Sequence, residues 1–144
     1  MKFYLDVHLF GALALTKNKG DPNKTEYRKC FNSGYSLTLE DNNLTRLFLN
    51  FADGFHAFKP YTNGIFFREH TFYFDEDTRV EDIEAIFGNA VDGFKDAIEI
   101  SRTFIVSGLE IEFSWYHDNE GTALTYMIIQ HDNGFYHGSC PAAN

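Results

Sequence analysis

The chain predicts an α+β domain: a single antiparallel β-sheet of about five strands, in the chain order β-β-α-β-α-β-β, packed against two helices. Three observations point there. Long runs at both ends alternate apolar and polar residues with a period of two, the pattern of half-buried strands. Residues 80–98 repeat apolar side chains at helical spacing behind a capping-box signature. The composition is that of a folded chain: 44% of residues are apolar, with 16 Phe, 8 Tyr and one Trp. Disordered acidic segments are poor in aromatics. At 144 residues one domain is expected over 1–144, with 132–144 as an irregular C-terminal tail.

Phe3, Leu5, Val7, Leu9, Leu13 and Leu15 fall on one side of the first alternating run, with Gly11 at a break that suits a bulge. Residues 17–25 are polar, contain Gly20 and Pro22, and read as a turn. A second run follows, with Tyr27, Phe31, Tyr35, Leu37 and Leu39 on one face. Together the two runs predict a hairpin over 2–40. Leu44, Leu47, Phe48, Phe51 and Phe55 fit a helix started by Asn43, although Leu47, Leu49 and Phe51 also alternate. Residue count favours the helix over 43–58.

From Ile65 to Phe74 nearly every position is apolar or aromatic, which predicts a central strand covered on both sides. Thr78-Arg79-Val80-Glu81 has the S/T-x-x-E form of a capping box, so Thr78 should cap a helix. The apolar stripe of that helix runs from Val80 through Ile83 and Phe87 to Phe94 and Ile98. Gly88 and Gly93 weaken it by about 1 kcal/mol each relative to Ala. Leu109, Ile111, Phe113 and Trp115 then alternate with Glu110, Glu112, Ser114 and Tyr116. Asp118–Gly121 makes a turn, and Ala123 to His131 returns as the second strand of a hairpin.

Most catalytic chemistries lack their residues here. Neither GxGxxG nor GxxxxGK[ST] occurs, and there is no GxSxG; Gly138-Ser139-Cys140 lies in the tail. His117 and His131 each end a strand of the last hairpin, but His117 should face Thr122. His131 would then lie about 30 Å away. His131 and His137 lack a tight ligand spacing, and no metal or other cofactor is expected. Asp75/Asp77 and Asp118/Glu120 lack EF-hand spacing and read as cap and turn residues. Cys30 and Cys140 read as two free thiols. Asp6 and His8 interrupt what would be a signal-peptide core, and no apolar stretch reaches the ~18 residues of a membrane span. A cytoplasmic location is expected.

The charge is uneven. Residues 1–30 hold six Lys/Arg against three acids, while 31–144 hold 18 acids against six Lys/Arg; the net charge is −9. Such a chain favours a cationic protein partner and repels nucleic acid and anionic membrane. Asp75, Glu76 and Asp77 concentrate acid at a strand-to-helix corner. Glu110 and Glu112 share the solvent face of their strand with Tyr116. These six are the candidate partner-binding residues of a small acidic binder, such as a toxin-immunity factor or a phage anti-defence inhibitor masking a basic, nucleic-acid-handling site. The alternative is a small enzyme or ligand-binding domain with a pocket around Glu69, His70 and Tyr73, where a buried Glu69 carboxyl would titrate high. A homodimer through the long apolar first strand is a further expectation.

Overall fold

The structure, a computed structural model, describes residues 1–17 and 21–136. Among these residues the chain is mostly β, with two open sheets and one short α-helix. The expectation of a single antiparallel sheet carrying two helices is therefore corrected in both parts. Strands β1 (Phe3–Tyr4), β2 (Leu9–Phe10), β3 (Leu13–Ala14), β7 (Ile65–Phe67) and β8 (His70–Phe72) form a five-stranded mixed sheet, in the order β3-β2-β1-β7-β8. The larger sheet has seven antiparallel strands in the order β4-β5-β6-β12-β11-β10-β9. Its members are β4 (Thr25–Cys30), β5 (Tyr35–Glu40), β6 (Asn43–Asn50), β9 (Asp92–Lys95), β10 (Glu99–Val106), β11 (Leu109–Asp118) and β12 (Gly121–His131). No helix among the described residues is long and apolar enough to cross a membrane.

The first run does not extend as one strand. A 3-10 turn at Leu5–Val7 ends on His8 in the left-handed conformation, and the chain folds back so that Phe3 pairs with Phe10. The Asp6 carboxylate accepts the Arg68 backbone N–H at 2.8 Å and ties that turn to the second half of the small sheet. The long apolar edge on which the homodimer expectation rested is replaced by strands of two residues each. The hairpin partner of β5 is β4, from the same alternating run, split by a 3-10 turn at Phe31–Ser33.

Three two-residue turns explain the other departures. Asp41 and Asn42 both have positive φ (51° and 65°), as the tightest hairpin turns require, and they set Glu40 opposite Asn43. With that turn made, β6 pairs with β5 and β12, and the 43–50 part of the expected helix becomes strand. Arg68 and Glu69 (φ 49° and 69°) split the expected central strand into the β7–β8 hairpin. Ser107-Gly108 (φ 52° and 79°) joins β10 to β11, and residues 99–106, to which the sequence assigned no element, form a strand.

The helix α1 (Val80–Phe87) is correspondingly short. Arg79, not Thr78, is its N-cap, and the Asp82 carboxylate accepts the Arg79 N–H at 2.9 Å. Thr78 Oγ1 instead accepts the Asp75 N–H at 3.0 Å. Gly88 (φ 87°, ψ −149°) leaves helical space and ends the helix, and 92–95 pair with β10 as an edge strand. Phe94 and Ile98, assigned to the buried stripe, are 49% and 61% exposed.

One hydrophobic cluster joins the sheets, with Phe3, Phe10, Ile65 and Phe67 from the small sheet and Leu47, Ile111, Phe113 and Met127 from the large one. Burying each such side chain contributes about 1.5–3 kcal/mol. The helix closes one end of the core: Ile83 is fully buried, and the Phe87 ring lies 5.3 Å from Phe67, 5.9 Å from Phe104 and 5.8 Å from Phe113. Alternation then leaves the large sheet a second, outer face that the small sheet does not cover.

Candidate functional site

On β11 the alternation read from the sequence is present in the structure. Leu109, Ile111, Phe113 and Trp115 are fully buried, while on the other face Glu110 and Glu112 are half-buried, Tyr116 is exposed and Ser114 is covered. The Trp115 indole N–H donates to the Thr78 carbonyl at 2.9 Å, which fixes this strand to the approach of α1. Register builds the outer face sideways from there. Glu110 lies opposite Gln130 on β12, and Glu112 opposite Thr103 on β10. Ser114 lies opposite Tyr126 and Ser101, and Tyr116 opposite Glu99.

Three carboxylates therefore share this face, each held by a neutral donor. Gln130 Nε2 donates to Glu110 at 2.7 Å, Ser114 Oγ to Glu99 at 2.5 Å, and Ser101 Oγ to Glu112 at 3.5 Å. None of the three is ion-paired among the described residues; the pairs found there are Lys24–Asp41 and Arg28–Glu26. Burial pushes the Glu112 carboxyl above its usual range. Arg46 opposes that shift, and the neighbouring charges of Glu99 and Glu110 reinforce it. The Tyr126 hydroxyl is raised by the same partial burial, against a hydrogen bond with Ser114.

A loop after β6 overhangs this face. The fully buried Asn50 directs Nδ2 at the carbonyls of Ala52, Phe58 and Lys59, at 2.8, 3.3 and 3.2 Å. Within the overhang Gly54 N–H closes on the Phe58 carbonyl at 2.9 Å. Aromatic rings run beneath it, with Phe55–Tyr126 at 6.0 Å, Phe48–Tyr126 at 5.6 Å and Phe48–Phe58 at 5.4 Å. Two grooves flank that line and share no residue. The first, about 480 Å³, is lined by Asp53, Phe55, Ile98, Glu99, Tyr116 and Tyr126, among others, with no Lys, Arg or His. The second, about 490 Å³, carries Lys29, Arg46 and His56 and no carboxylate.

Of the six predicted partner residues, Glu110, Glu112 and Tyr116 share this face. Glu110 and Glu112 are half-buried, and Tyr116 is exposed. Asp75, Glu76 and Asp77 lie apart, between β8 and α1, with local work to do. The Asp75 carboxylate accepts the Asp77 N–H at 2.8 Å, and Glu76 Oε1 accepts the Asp53 N–H at 2.9 Å. Glu76 thereby braces the lip of the first groove.

Glu69 and His70 are exposed at the β7–β8 turn and Tyr73 is exposed just beyond it, so Glu69 is not the buried carboxyl that the alternative reading required. His117 pairs with Thr122 and His131 with Leu109, which puts those histidines at opposite ends of the hairpin. The expected roles of His137, Ser139 and Cys140 fall outside the described residues.

Sequence reasoning missed Glu99, because it directly follows the 80–98 stretch that reads as a helix. The alternation of Glu99, Ser101 and Thr103 against Ile100, Phe104 and Val106 was the signal available. Arg46 and Lys29 had no such signal, since only strand pairing brings β4 and β6 to one groove. Comparison of the chain with protein-family models, curated proteins and solved structures finds no match.

Proposed function

We propose that this chain is a small acidic binding protein that neutralises a cationic protein partner, docking it on the outer face of the seven-stranded sheet. Toxin-immunity factors and phage anti-defence inhibitors work in this way, covering a basic site that handles nucleic acid. The observation that carries the reading is the trio Glu99, Glu110 and Glu112, held by neutral donors on one face and in no ion pair among the described residues. Exposed Phe94, Ile98 and Tyr116, at 49%, 61% and 52%, border the same region. Aromatic anchors beside desolvated charge are the makings of a protein interface. The −9 net charge adds long-range attraction for a basic surface and disfavours direct nucleic-acid binding.

The test pairs a partner captured from cells of the source with wild-type protein and the Glu110→Lys/Glu112→Lys variant. The expected partner is basic at the contact, binds the variant at least about tenfold more weakly, and associates much more slowly at high salt. An association rate indifferent to both salt and charge reversal would sink the proposal.

A further inference from the structure

The second groove supports an inference independent of the acidic face. We propose that it is a binding site for a small aromatic anion, its ring against Phe31, Phe48 and Phe58 and its phosphate or carboxylate on Lys29, Arg46 and His56. The charge is the first reason. In a chain with 21 acids and 12 Lys/Arg, Lys29, Arg46 and His56 line this groove with no carboxylate in its lining, although the Arg46 charge also acts on Glu112 farther along the face. Register sets Lys29 opposite Ser36, and Arg46 opposite Thr38 and Gln130, all of them neutral. Neither Lys29, Arg46 nor His56 is in an ion pair among the described residues.

The wall is the second reason. Phe58 is buried, and its ring lies 4.8 Å from Phe31 and 5.4 Å from Phe48, leaving a partly exposed aromatic surface beside the cations. A flat ring stacks on such a surface while an attached anion reaches charged donors, and cation–ring and charge-assisted contacts then act on one ligand. At about 490 Å³ the space falls within the range of small-molecule sites and is too small for a folded partner element.

Backbone strain is the third reason. His56 and Ala57 both sit at positive φ (49° and 69°), a conformation that disfavours side chains with a Cβ. Here that conformation turns the chain over the groove, with His56 and Ala57 both in its lining. Strain of this kind is retained where the surroundings hold it and gathers at ligand clamps. A long nucleic acid is a poorer occupant, because Glu110 and Glu112 lie on the same sheet face and repel a continued phosphate chain.

The probes are phenyl phosphate and benzoate, with inorganic phosphate and phenol as separate arms, followed by amide chemical-shift titration of the full chain. The expected result is saturable binding of at least one aromatic anion, with shifts confined to residues 29–38, 46–48 and 56–58. It should be at least about tenfold tighter than phosphate or phenol alone. Phenyl phosphate over benzoate identifies the anion as phosphate, and the reverse order as carboxylate. Arg46→Gln should weaken binding about tenfold, and Phe48→Leu should abolish the preference over inorganic phosphate. Equal affinity for phosphate and both aromatic anions, an unchanged affinity in Arg46→Gln, or shifts centred on Glu99 and Tyr126 would each overturn the assignment. So would shifts that vary with protein concentration alone, which would make a second copy the occupant.

Discussion

Replacing Asn50 with alanine removes the strut beneath the overhang that shapes both grooves. Its Nδ2 has two hydrogens facing three carbonyls, so two good bonds are lost, each worth about 1 kcal/mol net. Phe58 keeps the Gly54 N–H on its carbonyl and Ala52 keeps the Phe55 N–H, so Lys59 is the carbonyl that loses its donor with Asn50. A buried acceptor left without a partner costs about 1–3 kcal/mol. Against this, Oδ1 has no hydrogen-bond partner among the described residues, so deleting it removes no bond of that kind. The balance is a loss of about 2–4 kcal/mol, or roughly 5–15 °C in melting temperature for a chain of this size. Urea unfolding followed by Trp115 fluorescence measures it, with a lower midpoint and an unchanged slope as the expected result. A loss below about 1 kcal/mol would show that the overhang is held by its own turns and that Asn50 is not a strut.

The other predictions concern packing and protonation. Gly34 has φ 77°, and a Cβ there would lie 2.4 Å from the Tyr61 backbone nitrogen and 2.6 Å from the Lys59 carbonyl oxygen. Gly34→Ala should therefore cost about 2–4 kcal/mol in the same unfolding assay, and a neutral result would mean that the 59–61 backbone yields freely. Glu112 is held above its usual pKa, so its share of stability is greatest below about pH 4.3, the unfolded value, and falls as pH rises through the folded one. Glu112→Gln should raise the unfolding midpoint at neutral pH with no gain at pH about 3, while weakening a cationic partner. Tyr61 donates its hydroxyl toward the Met1 and Gly64 carbonyls at 2.6 and 2.9 Å, and burial holds its pKa far above normal. The stability that it contributes is complete below about pH 10 and drains away above it. Tyr61→Phe should cost about 1 kcal/mol at neutral pH and flatten the alkaline decline, and an unchanged alkaline limb would refute that role.

Local pattern was enough for some elements and misleading for others, and the difference is physical. The β11–β12 hairpin was legible because its alternation, its Asp118–Gly121 turn and its pairing all lie within one stretch of chain. Residues 43–50 and 92–98 were misread because short apolar runs fit both periods, and non-local pairing decided between them. Asp41-Asn42 and Ser107-Gly108 were the missed local clues, since such pairs accept positive φ readily. Arg68-Glu69 offered no clue of that kind, and the Asp6 carboxylate that accepts the Arg68 N–H comes from 62 residues away.

The sequence alone determined that this is a folded, aromatic, strongly acidic chain, and that Glu110, Glu112 and Tyr116 share the outer face of one strand. Those properties follow from composition and from the two-residue period of a strand, which need no knowledge of neighbours. Tertiary structure decided the rest. It placed β4 one strand away from β6, across β5, so that Lys29 and Arg46 line one groove, and it brought Glu99 across to Ser114. It thereby divided one sheet face into a carboxylate groove and a cationic groove. Sheet order and overhang are products of long-range pairing, and no window of sequence contains both partners.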